Sequence, residues 1–130
     1  MNNKRLGTKY ENEVAQILYE NGYWVTLLAA TITGQPADII AIKSREFCLI
    51  DAKKCSNDVF QLSRVEPNQI RSMNLLEHRS GHAIACFVLG MSSGNYVVSL
   101  ETILDLMNAG VKSIKEKDCE QYITLEEWCK

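Results

Sequence analysis

The chain has only two histidines, His78 and His82, and none of its five cysteines forms a Cys-x-x-C pair. These shortages argue against a zinc site, and the odd number of thiols argues against a disulfide framework, so the cysteines are expected to be reduced. Cys48 and Cys86 stand in apolar runs and read as small hydrophobes. No apolar run approaches the roughly 18 residues of a membrane span, and MNNKRLGTKYENEV lacks the apolar core of a secretory signal. A cytoplasmic protein without membrane contact is expected. No low-complexity tract, repeat or linker divides the 130 residues, and their 46% apolar content is enough for one core. Residues 1–130 therefore read as a single domain.

Positive charge is scarce as well. A net charge of −2 is awkward for a DNA partner, because duplex affinity normally comes from Lys and Arg neutralising phosphates. The distribution eases the difficulty: residues 101–130 hold seven acids against four bases, which leaves residues 1–100 at +1. Lys4, Arg5, Lys9, Lys54, Arg64 and Arg71 lie in sequence around the segments described next, an arrangement that suits a DNA track or ordinary solvation.

The most informative stretch is Pro36–Lys54, PADIIAIKSREFCLIDAKK. Two apolar runs, Ala37–Lys43 and Phe47–Lys53, flank Ser44-Arg45-Glu46 and read as a β-hairpin. A tight turn on Ser44 and Arg45 pairs Lys43 with Glu46 and sets Asp38 opposite Asp51. The period of two then puts Lys53 on the Asp51 face and turns Ala52 to the other. Directly opposed Cβ atoms lie about 4.5–5.5 Å apart, where like charges destabilise the pair. A hard cation offsets that repulsion, since Mg²⁺ takes carboxylate oxygens at about 2.1 Å and keeps several waters. It would also reverse the local sign, so that an anionic group could dock there. The register matters, because a slip by one residue would put the aspartates on different faces, and the turn lacks an Asn-Gly signal.

Around the hairpin, residues 4–21 read as a helix with Leu6, Tyr10, Val14, Ile17 and Leu18 on one stripe. Glu11 and Glu13 both flank the stripe, and periodicity does not choose between them. Tyr23–Ala30 reads as a strand apolar enough to be central. It leads into Thr31–Gln35, where Thr33 and Gly34 suit close approach to phosphate or a plain connection. Cys55–Glu66 reads as a loop anchored by Phe60 and Leu62. Pro67–Ser80 reads as a helix whose first turn places Gln69 on the buried stripe; a buried amide needs a partner, either a water or phosphate at the site or a capping contact within the protein. Ala83–Leu89 reads as a strand buried on both faces, Tyr96–Ser99 as an edge strand and Leu100–Asn108 as a helix. Ser113-x-x-Glu116 and Thr124-x-x-Glu127 have capping-box form.

Pro36-Ala37-Asp38, followed after twelve residues by Asp51-Ala52-Lys53, resembles the PD-(D/E)xK nuclease signature. Gly7 with Glu11 resembles the helix-borne glutamate of archaeal Hjc-type Holliday junction resolvases. Phe60-Gln61-Leu62 with Pro67-Asn68-Gln69-Ile70 resembles the RecU resolvases. Two departures stand out: the second metal acid is aspartate where RecU proteins usually have glutamate, and no stalk insertion precedes Asp38. The resemblance implies a restriction endonuclease-like α/β/α sandwich with a central mixed sheet. It implies a Mg²⁺-dependent DNA endonuclease, with Mn²⁺ as a substitute, acting on four-way junctions as a homodimer. Asp38, Asp51, the Ala52 carbonyl and Glu11 would hold the metal, and Lys53 and Gln69 would serve the attacking water. Lys4, Arg5, Lys9, Thr33, Lys54, Arg64 and Arg71 would meet DNA, while the C-terminal segment around Leu125 and Trp128 would complete the core or form the dimer contact. A repair or restriction nuclease, or a DNA-binding module without catalysis, is the alternative.

Overall fold

The computed structural model describes the backbone of residues 3–28 and 37–130 and the side chains of residues 9–28 and 37–130. Lys4, Arg5, Leu6 and the Thr31–Gln35 segment with Thr33 thus lie outside the described side chains. The chain runs α1 (Asn3–Glu20), β1 (Trp24–Leu27), β2 (Ile39–Lys43), β3 (Glu46–Lys54), β4 (Val59–Gln61), α2 (Pro67–Arg79), β5 (Ala83–Met91) and β6 (Gly94–Ser99). It continues through α3 (Leu100–Asn108), β7 (Ser113–Lys115), β8 (Ile123–Thr124) and α4 (Leu125–Trp128).

The hairpin forms in the expected register, with Lys43 opposite Glu46 and Ile39 opposite Ile50. Ser44 supplies the turn by adopting φ 54, the left-handed conformation that Asn or Gly would take more easily. Strand order in the main sheet is β1-β2-β3-β5-β6-β8. Among the described strands only β3 and β5 pair in parallel, so the sheet is mixed. Alternation along β3 divides the core: Cys48, Ile50 and Ala52 pack with Tyr10, Val14 and Leu18 of α1 and with Leu125, whereas Leu49 packs with Met73 of α2 and Ile103 of α3. Helices cover both faces, giving the α/β/α sandwich. All five cysteines are free and buried, and burial pushes the Cys55 and Cys119 thiols up to about 11, which suits filler and not nucleophiles.

Several expectations are corrected. Among the described strands β1 lies at the sheet edge and not at its centre: it pairs with β2 alone, and Trp24 is 60% exposed. Conversely, β6 is flanked by β5 and the two-residue β8. The segment read as the loop Cys55–Glu66 contains β4, which pairs antiparallel with β7 and buries Phe60 against Ile114. Ser113 therefore opens a strand and caps no helix; the turn that follows is capped by Asp118, which accepts from Lys115 N at 2.9 Å. Thr124 does cap α4, accepting from Glu127 N. Leu125 is fully buried and Trp128 stacks on Tyr23 at 5.9 Å, so both serve the core.

Candidate active site

β3 continues past its last residue paired with β2, Ile50, and the Asp38 carboxylate fills the gap this leaves. Asp38 N donates to Ile50 O at 3.1 Å, and its Oδ2 accepts from Ala52 N at 2.8 Å. On the next residue of β3, Asp51 is completely buried. Its Oδ1 accepts from Gln69 Nε2 at 2.9 Å, and Lys53 Nζ stands 3.0 Å from Oδ2. Apart from that ammonium, no hydrogen-bond donor reaches the buried Oδ2 among the described residues. Gln69 uses the other end of its amide to cap α2, accepting from Glu66 N at 3.2 Å, and is 4% exposed. Of the two partners considered for this amide, the internal one forms. Gln69 thereby orients Asp51.

Glu11 approaches Asp38 from α1, while Glu13 is exposed, which separates two residues that periodicity could not. Burial, then the charge and hydrogen-bonding contact of Asp38, push the Glu11 carboxyl up to about 7, with Lys53 pulling the other way. Burial followed by the Asp38 charge also raises Asp51, again opposed by Lys53. For acids raised in the folded state, the native protein binds more protons than the unfolded chain between the ordinary carboxylate range near pH 4 and the raised value. Metal-free protein should therefore lose stability as pH rises from about 4.5 to 7 and level off above. Melting curves in chelator across that window check this; a Tm that climbs throughout would contradict the raised carboxylates.

These residues open onto a cleft of about 630 Å³. Glu11, Asp38, Ala52, Lys53, Lys54 and Arg64 line it, and Asp51 and Gln69 lie behind them. Arg64 is held in place by donating to Lys54 O at 3.2 Å and by the Phe60 ring, 5.5 Å away. Lys9 and Arg71 are exposed but do not line the cleft; each is two helical positions from a site residue, about 200° around its helix. The sequence reading missed Ser56, Asn57, Val59 and Gln61, which form the opposite wall. Asn57 and Asp58 both take positive φ, 58 and 57, in the turn that begins this wall, and Asp58 anchors it by accepting from Ser92 N at 2.6 Å. The available signal was the short apolar pair Val59-Phe60 between polar residues, which is compatible with a brief strand.

The donor set suits a hard divalent cation. All the offered atoms are oxygens, and Asp51 Oδ2 is a buried carboxyl oxygen with only the Lys53 ammonium beside it among the described residues. Among the described residues no three His, Cys, Asp or Glu side chains form a ready-made cluster. No described helix is long and apolar enough to cross a membrane.

Residues 14–128 match the family described as Recombination protein U. Comparison with curated proteins gives no match. Among solved structures, Hjc of Archaeoglobus fulgidus, described as a Holliday junction resolvase from an archaeal hyperthermophile, is similar with a TM-score of 0.73 at 17% identity. That similarity covers 95% of this chain and all of the other, and it establishes a shared fold. With the family match spanning most of its length, the chain belongs to the Recombination protein U family of Holliday junction resolvases.

Proposed function

We propose that the protein resolves four-way DNA junctions by Mg²⁺-dependent phosphodiester hydrolysis, with residues 1–130 acting as one nuclease domain. The observation that carries this reading is the buried Asp51, whose Oδ2 lies 3.0 Å from the cleft-lining Lys53 with no other hydrogen-bond donor among the described residues, beside Asp38 at the head of β2. Asp38, Asp51 and the Ala52 carbonyl would hold the ion, with Glu11 reaching it directly or through water. When bound, the ion supplies Lewis acidity at a phosphate oxygen and lowers the pKa of a coordinated water. Gln69 holds the Asp51 carboxylate in one orientation. Lys53 orients the attacking water and places positive charge where negative charge develops in the transition state. Lys54 and Arg64 seat the flanking phosphates in the cleft.

The chain carries one Asp38/Asp51/Lys53 set, whereas resolution takes two symmetric nicks, so the working unit is a homodimer with isologous contact. Purified protein with Mg²⁺ or Mn²⁺ should be offered labelled four-way junction, duplex, flap and single strand, with its mass followed by sedimentation. Paired nicks confined to the junction, made by a dimer, are expected. Equal cleavage of linear duplex would favour a repair or restriction nuclease, and a monomer that nicks one strand would refute the dimer.

A further inference from the structure

Tyr10 and Glu11 are consecutive on α1, so their side chains leave the helix about 100° apart. Glu11 turns to Asp38 at the head of β2. Tyr10 turns the other way, across the end of β5 to β6, where its hydroxyl donates to Asn95 Oδ1 at 2.6 Å. The ring fits there because position 90 has no side chain: a Cβ on Gly90 would stand 2.6 Å from Tyr10 Cζ and 2.7 Å from Cε1. Gly90 does not have positive φ, so the turn geometry that usually calls for glycine does not explain it; the seat for the ring does. Gly90 is paired in the sheet with Lys54 on one side and Asn95 on the other. Lys54 Nζ lies 5.5 Å from the centre of the Tyr10 ring. The ring is thus held by Gly90, Asn95 and Lys54, and it is 3% exposed. A leucine of similar bulk would fill the core but would neither bond Asn95 nor hold the ammonium.

We propose that Tyr10 is a positioning residue of the active site: seated over Gly90 and latched to Asn95, it fixes the rotation of α1 that delivers Glu11 to Asp38. This rests on the reading of Glu11 as an acid of the metal site. The other apolar contacts of α1, through Val14, Ala15, Ile17 and Leu18, all lie C-terminal to Glu11, so without Tyr10 nothing in this core cluster fixes the helix at the level of Glu11. The latch opposes that roll one residue away from the group that must not move.

The test uses the full chain with the substitutions Tyr10→Leu, Tyr10→Phe, Asn95→Ala and Glu11→Gln, and the double variant Tyr10→Leu/Glu11→Gln. Two quantities are read: the single-turnover rate on four-way junction across a Mg²⁺ titration, and the rise in Tm that Mg²⁺ gives without DNA. Tyr10→Leu should raise the Mg²⁺ half-saturation by about 10-fold and shrink the Mg²⁺-induced Tm rise, as expected when the support of a metal ligand is lost. Tyr10→Phe and Asn95→Ala each remove only the latch and should agree at about 3- to 5-fold, the size of one neutral hydrogen bond. In the Glu11→Gln background, Tyr10→Leu should cost nothing more. An undiminished loss there, or wild-type Mg²⁺ response in both latch variants, overturns the proposal while leaving the metal site standing. Glu11→Gln cleaving at the wild-type rate would overturn the metal-site reading of Glu11 and the Tyr10 proposal together. The latch variants leave the ring position filled, so they decide the matter even if Tyr10→Leu fails to fold.

Discussion

Asp51→Asn should melt higher than the wild-type chain in the absence of metal and should no longer cleave junctions. Asp51 is fully buried, and burial is the main reason its carboxyl is raised; the Asp38 charge adds to it. Removing the charge removes that cost. The Gln69 bond survives, because an asparagine oxygen still accepts from Nε2, and Lys53, whose side chain is 18% exposed, turns to water. We expect a gain of about 1 kcal/mol, or roughly 3–5 °C for a chain of this size, together with a loss of at least about 10³-fold in cleavage rate, the scale set by removing a preorganised electrostatic group. Asp38→Asn should be equally inactive. An amide oxygen can still accept from Ala52 N, so the fold persists, while loss of the Asp38 charge brings Glu11 and Asp51 back toward ordinary carboxylate behaviour. The fall in stability between pH 4.5 and 7 should flatten in this variant. Cleavage near the wild-type rate by either protein would remove the aspartates from the metal site.

The hairpin was legible in the sequence because everything that sets its register is local: two apolar runs, a short polar turn, and the period of two that places Lys53 beside Asp51. The helix stripe of Tyr10, Val14 and Leu18 was legible for the same reason. β1 was misplaced because apolar content measures what a strand can bury, whereas its place in the sheet depends on which strands arrive later in the chain. Trp24 remains 60% exposed because, among the described residues, no strand pairs beyond β1. The pairing of Val59–Gln61 with Ser113–Lys115 joins two three-residue strands across half the chain, and neither is long enough to announce its period. Gln69 illustrates the limit at the site. Its position on the buried stripe showed that its amide required a partner, but α2 and β3 meet only in the folded chain, so neither Asp51 nor the shared use of both amide ends was visible. Asn57 and Gln61 escaped notice because they carry no catalytic chemistry of their own; they reach the cleft through the turn that Asp58 ties to Ser92.

Lys53→Ala should separate chemistry from binding. The ammonium lies 3.0 Å from Asp51 Oδ2 and lines the cleft, so it stands between the buried acid and the space a phosphate would enter. Two roles fit such a place, and they have different kinetic signatures. A group that orients the attacking water and meets charge formed only in the transition state lowers the single-turnover rate at saturating DNA without changing affinity. A group that merely holds a ground-state phosphate weakens binding and flattens its salt dependence by about one ion. The geometry favours the first, because Lys53 is held by Asp51 and is largely buried, while Lys54 and Arg64 offer exposed charge at the cleft wall. We therefore expect Lys53→Ala to slow single-turnover cleavage by about 10² or more, with junction affinity in chelator nearly unchanged. The same substitution removes the ammonium that lies 3.0 Å from Asp51 Oδ2, so the metal-free variant should melt lower than wild type, the opposite of Asp51→Asn. Combining the two substitutions should restore most of that loss, since the charge that Lys53 compensated is gone. Weakened binding with an unchanged rate at saturation would instead assign Lys53 to phosphate positioning and leave the attacking water to other groups.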